Sequence, residues 1–327
     1  MKVEQVKYII DLRAGIENLI REKDCYFIGE DIQEPYGGAF KVTKGLSDKY
    51  PGNIIAVPMC EQGFTGLGIG MALFGCYVSV EIMFGDFITL AADQMVNHAA
   101  KIRELYDDDL HFVLRCPSGA YRGYGATHSQ SIEKIYMGIP GIQIVSPSIA
   151  FSPGELLKKA LESGIPSLFV ENKLDYPREL LDERSKFWEK DVVDNENGFP
   201  IVRIKPLDGK PDATIITYGG MVDIAVSAAE DLLYEDEINV DIIVPCLLTD
   251  IDSVVQSCRT SKVVILEEGV KDFGWGAEVC CKLLESRSIK FHRIGAKNRV
   301  VPVAKESELM MLPSKQDVVN SVKGVIR

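Results

Sequence analysis

A chain of 327 residues has room for two domains with ordinary cores, and 46% hydrophobic with 26% charged residues is the composition of a soluble globular protein. No apolar run reaches the length of a membrane span. The formal net charge of -12 argues against nonspecific binding to nucleic acid or to an acidic membrane surface, which leaves proteins and small molecules as partners. Eight cysteines are scattered along the chain without a CxxC pair, and the adjacent Cys280 and Cys281 are badly placed to bridge each other. Reduced, mostly buried thiols in a reducing compartment are expected. The amino terminus, MKVEQVKYIIDL, reads as an amphipathic helix with no secretory signal or transit peptide, so cytoplasm is the expected location, although a processed organellar chain would look the same.

Taken in order, Val6 to Arg21 has apolar residues at helical spacing, and Cys25 to Ile28 is a short strand running into Gly29-Glu30-Asp31. Gln33 to Gly45 lacks periodicity and predicts a surface loop. Strand-like runs then recur at Ile54 to Val57, Val78 to Phe84, Phe112 to Leu114, Ile142 to Val145 and Ser167 to Val170. Helix-like segments lie between several of them. In Leu90 to Leu105, Asp93, Asn97 and Lys101 form a polar stripe opposite alanines, Met95 and Ile102, and Pro153 to Glu162 is a second such segment. This alternation predicts a mainly parallel sheet with both faces covered.

Tyr176 to Pro206 breaks the rhythm with charges, three prolines and an Asp-Asn-Glu-Asn-Gly cluster, and it predicts a linker. A second alternating block follows, with strands at Ala213 to Tyr218, Val240 to Val244, Val263 to Leu266 and Phe291 to Ile294. Helices are expected at Asp223 to Tyr234, Asp252 to Cys258 and Gly276 to Leu284. The expected organisation is an α/β domain over residues 1–178, a linker over 179–206 and a smaller α/β domain over 207–327.

Chemistry concentrates in a few stretches. In an open parallel sheet, ligands gather outside the carboxyl ends of the strands. Here those ends carry Glu30-Asp31, Glu61, Phe84 to Phe87, Pro117 to Gly119 and Glu171-Asn172. Glu61 opens the stretch EQGFTGLGIGM, in which glycines at 63, 66, 68 and 70 leave almost no side-chain bulk. Two readings stand: a placed proton carrier beside a backbone that something approaches closely, or a loop acid before a small-residue packing helix. The glycine-rich loop GAYRGYGATHSQS carries His128, either a proton carrier near neutral pH or a histidine that hydrogen-bonds its own loop. The four histidines form no HExxH pair, so no metal site is assigned to this chain. There is no Walker loop and no strand-linked GxGxxG.

Taken together, GEDI with YGGAFKVTKGL, EQGFTGLGIGMAL, VEIMFGDFITLAADQMVNHAAK, HSQS, PGIQIVSPS, ITYG and LEEGVKDFGWGAEV resemble one family across nearly the whole chain. That family is the beta subunit of the thiamine-diphosphate-dependent 2-oxoacid dehydrogenase component, the pyruvate and branched-chain type. The resemblance implies a pyrimidine-binding parallel-sheet domain followed by a transketolase C-terminal-type α/β domain. It places Glu61 as the acid that hydrogen-bonds the cofactor's aminopyrimidine, with Gly66, Leu67 and Gly70 completing the motif. Phe87 matches the aromatic position that packs on the pyrimidine, Met59 and Met83 match pocket neighbours, and His128 matches the family's active-site histidine.

No GDG motif for the diphosphate and its magnesium occurs in this chain. The resemblance therefore implies half of an active site, completed by an alpha subunit in an alpha-two beta-two assembly, with a lipoyl-bearing acyltransferase as the further partner. Some places depart from the family: Val244 to Asp250 lacks the usual arginine, and the Asp and Asn that hold a monovalent cation in several relatives are Ser163 and Ile165 here. A carboligating thiamine enzyme of a specialised pathway and a noncatalytic scaffold subunit are the alternatives.

Overall fold

The structure, a computed structural model, describes residues 5–327; the first four residues of the expected amino-terminal helix lie outside the described residues. The chain divides into two compact units. One holds the residues up to Ser118 with Ile135–Pro147 and Ser152–Leu180, and the other holds Gly119–Lys134, Ser148–Phe151 and Leu181–Arg327.

The first unit is built on six strands: β1 (Tyr26–Gly29), β2 (Ile54–Ala56), β3 (Val78–Glu81), β4 (Phe112–Ser118), β5 (Gln143–Val145) and β6 (Ser167–Asn172). They pair in the order β2-β1-β3-β4-β6-β5, and every pairing is parallel. Strands β3, β4, β5 and β6 are buried along their whole length, as expected of a sheet covered on both faces. The cover includes α1 (Tyr8–Lys23), α3 (Glu61–Leu73), α4 (Ala100–Tyr106) and α5 (Pro153–Glu162), while α2 (Leu46–Lys49) is a single turn. Helix α5 starts where Ser152 accepts a hydrogen bond from the Glu155 N–H and Pro153 takes the first helical position. The continuous helix expected over Leu90 to Leu105 is instead a 3₁₀ segment (Gly85–Ala91), a π-helical segment (Gln94–Ala99) and then α4. Ala91, Met95 and Ala99 are fully buried and recur every four residues, a longer period than the 3.6 of an α-helix, and the widened turns keep them all inward.

The second unit has β7 (Trp188–Asp194), β8 (Pro200–Pro206), β9 (Ala213–Thr217), β10 (Val240–Pro245), β11 (Lys262–Val270) and β12 (Lys290–Ala296). Their order is β12-β11-β9-β10-β8-β7, parallel from β12 to β10, with β8 antiparallel to both its neighbours. The helices are α6 (Met221–Asp236), α7 (Ile251–Ser257), α8 (Trp275–Ser286), α9 (Lys305–Leu309) and α10 (Lys315–Ile326).

One expectation is corrected. The stretch read as a linker over 179–206 supplies a β-hairpin to the second sheet, its turn closed by the Gly198 N–H on the Asn195 carbonyl at 2.9 Å. Its charges misled because they pair across neighbouring strands: Lys205 bridges Glu189 and Asp191, and Arg203 grips the buried Asp241 with three hydrogen bonds of 2.7–2.9 Å. The expected boundary at 178 lies beside the end of the first unit at Leu180, while Gly119–Lys134, which carries His128, belongs with the second unit.

Candidate active site

In the first sheet β1 lies between β2 and β3, so the chain leaves β1 to one side and then returns to the other. That reversal makes a crevice outside the carboxyl ends of β1 and β3, the place where parallel α/β sheets bind ligands. Three of the predicted stretches open onto this edge: Glu30 follows β1, Met59 and Glu61 follow β2, and Met83 to Phe87 follow β3.

Glu61 is the first residue of α3 and is half-buried. The helix turns Phe64, Thr65, Gly68, Ile69 and Ala72 inward, a stripe of helical period that sets its rotation on the sheet. Gly68 lets it lie close: a Cβ there would stand 2.5 Å from Val80 Cγ2 and 3.0 Å from Phe112 Cε2. Beyond β3, Gly85 brings the chain against the end of β4, since a Cβ would fall 2.9 Å from Ser118 Cβ. The Phe87 N–H then bonds the Phe84 carbonyl at 3.0 Å, and Met83 and Phe87 are both half-buried. Met59 is 85% exposed, so the described residues do not enclose it.

Glu30 is the neighbour that sequence reasoning placed at a strand end but gave no role. It is 8% exposed, and among the described residues its Oε1 has no hydrogen-bond partner. Burial, with the charges of Glu61 and Asp31 adding to it, holds its carboxyl above the usual carboxylate range. The only signal for it was an acid directly after an apolar run. Beneath this edge, Arg115 of β4 joins three strands: its guanidinium donates to Glu171 of β6 at 2.7 and 3.0 Å and to Glu81 of β3 at 2.9 Å. The Tyr176 hydroxyl donates to Glu171 at 2.8 Å.

His128 stands in the second unit. Its N–H bonds the Gly125 carbonyl at 3.2 Å, and its Nδ1 lies 3.0 Å from Thr127 Oγ1. Acidic side chains surround the base of its loop: Tyr218 donates to Glu133 at 2.8 Å, Ser131 donates to Glu268 at 3.1 Å, and the Gly123 N–H donates to Glu308 at 2.8 Å. These acids were missed, since nothing in a linear pattern links residue 268 or 308 to residue 128. A cavity of about 800 Å³ along edge strand β12, with Lys271, Lys290 and Arg293 in its wall, contains none of the predicted site residues. Among the described residues no three His, Cys, Asp or Glu side chains gather as a metal site, and no helix is long and apolar enough to cross a membrane.

Two family descriptions match the chain: "Transketolase, pyrimidine binding domain" over residues 16–179 and "Transketolase, C-terminal domain" over residues 203–318. The molecule is thus a transketolase-type chain of two α/β domains, the first with a parallel six-stranded sheet and the second with a mixed one. It is 34% identical over 318 residues to pyruvate dehydrogenase E1 component subunit beta-1, mitochondrial, of Oryza sativa subsp. japonica, covering 94% of this chain and 83% of the relative. To the pyruvate dehydrogenase E1 component subunit beta of Rickettsia bellii it is 32% identical over 319 residues, 94% of each chain. The mitochondrial subunit of Saccharomyces cerevisiae is 32% identical over 324 residues, 96% of this chain and 86% of that one. A solved structure described as a split gene transketolase, inactive beta4 tetramer, has the same fold at a TM-score of 0.73, with 20% identity and 97% of both chains covered. The chain belongs to the family of pyruvate dehydrogenase E1 beta subunits.

Proposed function

We propose that the chain is the beta subunit of a thiamine-diphosphate-dependent 2-oxoacid dehydrogenase, acting in oxidative decarboxylation of a 2-oxoacid with reductive acyl transfer to a lipoyl group. The observation that carries this reading is Glu61 at the head of α3, on the crevice edge between β1 and β3, in a chain of this family. The residues suit the pyrimidine end of the cofactor. Glu61 offers a carboxylate to a weakly basic ring nitrogen, Phe87 and Met83 offer apolar faces, and the unpartnered Glu30 Oε1 beside Glu61 leaves room for a further polar contact. When bound, thiamine diphosphate supplies the nucleophilic carbon and the electron sink for decarboxylation.

The chain's own share of the chemistry is proton placement. Glu61 holds a proton at the pyrimidine nitrogen, Phe87 and Met83 orient that ring and exclude water with Met59 at the open rim, and His128 handles charge on the substrate or acyl group. No GDG segment is present for the diphosphate and magnesium, so these fall to an alpha subunit in an alpha-two beta-two assembly that delivers to a lipoyl-bearing acyltransferase. All eight cysteines are free thiols, which fits a reducing compartment, taken here as the cytoplasm.

Calorimetric titration with thiamine diphosphate and magnesium tests the division of labour. Tight binding is expected only after an alpha chain is added; tight binding by this chain alone defeats the shared-site reading. In the assembled component, Glu61→Gln is expected to lower turnover by roughly 10²–10⁴-fold with the melting temperature kept. Full activity in that variant removes Glu61 from the mechanism. Product analysis with and without a lipoyl acceptor separates oxidative acyl transfer from carboligation.

A further inference from the structure

We infer that Glu268 is a positioning residue for His128: its carboxylate clasps the neck of the loop that carries the imidazole and fixes where that ring stands. The inference rests on the reading of His128 as the active-site histidine. The loop leaves at Gly119 and returns at Ser131, and one oxygen, Glu268 Oε1, accepts from both stems. The Ala120 N–H donates to it from one side and the Ser131 hydroxyl from the other, the latter at 3.1 Å. Between the stems the Gly119 N–H meets the Gln130 carbonyl at 3.3 Å.

The clasp is anchored on rigid structure. Glu268 is 5% exposed and sits in β11, which is paired on one side with β9 and on the other with β12. The β11–β12 register shifts between Leu266 and Val270: four steps along β11 match two along β12. Such a bulge re-aims side chains out of strand alternation, and Glu267-Glu268-Gly269 occupy it. Gly269 brings the bulged backbone against the same stem, with the Ser131 carbonyl oxygen 3.2 Å from where a Cβ would stand.

The loop needs external support. Gly119, Tyr121, Gly123 and Gly125 all have positive φ, so its path depends on glycine freedom and one left-handed tyrosine rather than on a stiff backbone. Other ties hold its flanks: Tyr121 donates to the Pro313 carbonyl at 2.7 Å, the Gly123 N–H to Glu308, and Lys134 to the carbonyls of Val270 and Asp272. Glu268 bonds both stems through one oxygen and, together with the Gly119–Gln130 backbone bond, sets the width of the neck. A wider neck moves every residue of the loop, His128 included.

The test uses the full chain and its assembled component. Arg122 is exposed in the loop, so the rate at which trypsin cuts after it reports loop opening without reference to activity. Glu268→Ala is expected to raise that rate roughly 10–100-fold, the loss expected for hydrogen bonds to a charged acceptor, whereas Glu268→Gln, which keeps the accepting oxygen, stays near wild type. In the assembled component Glu268→Ala is expected to lower kcat roughly 10²-fold, and adding it to His128→Ala is expected to change nothing further. Unchanged cutting at Arg122, or losses from Glu268→Ala and His128→Ala that multiply, overturns the proposal. If Glu268→Ala does not fold, Ser131→Ala takes its place: it removes one stem bond, and a wild-type cutting rate there also overturns the clasp. A component that turns over no 2-oxoacid defeats the proposed function and, with it, the positioning role, while the cutting rates still decide the clasp itself.

Discussion

Replacing Arg115 with methionine tests the charged joint under the candidate site. The guanidinium is 1% exposed, and its three bonds to Glu171 and Glu81 are all charge-assisted. Against the burial that lowers it, Glu171 and Glu81 hold the arginine above its ordinary pKa, so the cation is secure. Burial also lifts the Glu81 carboxyl above the usual range, with Arg115 pulling the other way. At ~1.5–3 kcal/mol for each bond to a charged group, the three sum to about 5–9 kcal/mol. Glu81 escapes part of that by taking up a proton, so the expected loss is ~3–5 kcal/mol, the usual result of removing one partner from a buried ion pair. Urea unfolding of the full chain at about pH 7.5 and about pH 5 measures it. Without the guanidinium the Glu81 pKa rises further above its unfolded value, and the stability of such a group is lost as pH rises through the folded pKa. The deficit is therefore expected to shrink at the lower pH. A loss below ~1 kcal/mol at about pH 7.5, or one of equal size at both pH values, refutes the reasoning.

Two further comparisons probe the helix that carries Glu61 and the sheet that carries the clasp. A Cβ at Gly70 meets nothing within 4 Å among the described residues beyond its own helix backbone, whereas one at Gly68 strikes Val80 and Phe112. The gain in helix propensity is common to both, so thermal or urea unfolding is expected to place Gly68→Ala below Gly70→Ala by ~1–3 kcal/mol, and equal stabilities contradict the packing described for α3. Glu267 is 2% exposed, and burial pushes its carboxyl up to about 7, with Arg293 and the Gly276 N–H offsetting only part. Because the folded pKa lies above the unfolded one, its contribution is present in acid and is lost as pH rises from about 4.5 to about 7. Glu267→Gln is expected to remove about 3 kcal/mol of that fall across the same window in a pH series of unfolding experiments; an unaltered slope denies the burial effect.

What was legible in the sequence followed from local signals. Helix α5 announces itself through Ser152-Pro153, and its expected bounds coincide with the observed Pro153–Glu162. Helix α3 begins at the acid that heads the spaced glycines. The buried parallel strands were readable as apolar runs between helical segments. The hairpin β7–β8 was hidden because Glu189, Asp191 and Lys205 face outward as ion pairs, and alternating charge resembles a linker when the partner strand is unknown. Helix α10 went unread, although Ser314 and Asp317 form a capping box ahead of the buried Val318, Val319, Val322 and Val325. Within the candidate site, Glu61 was readable from its motif, whereas the surroundings of His128 were not. The loop depends on residues separated from it by more than a hundred positions, and periodicity carries no information at that range.

That separation has a consequence for the order in which the molecule is made. The first sheet has its last strand residue at Asn172, but the clasp joins residues 148 positions apart and the Gly123–Glu308 bond spans 185. At ~5–20 residues per second, a ribosome needs roughly 7–30 s between delivering Ala120 and delivering Glu268. Throughout that interval the His128 segment is tethered at its ends to a sheet already able to form, yet lacks the acids that shape it. A nascent protein halted near residue 180 contains Glu61 and every strand of the first sheet, but neither Glu268 nor Glu308, the acids that tie the His128 loop.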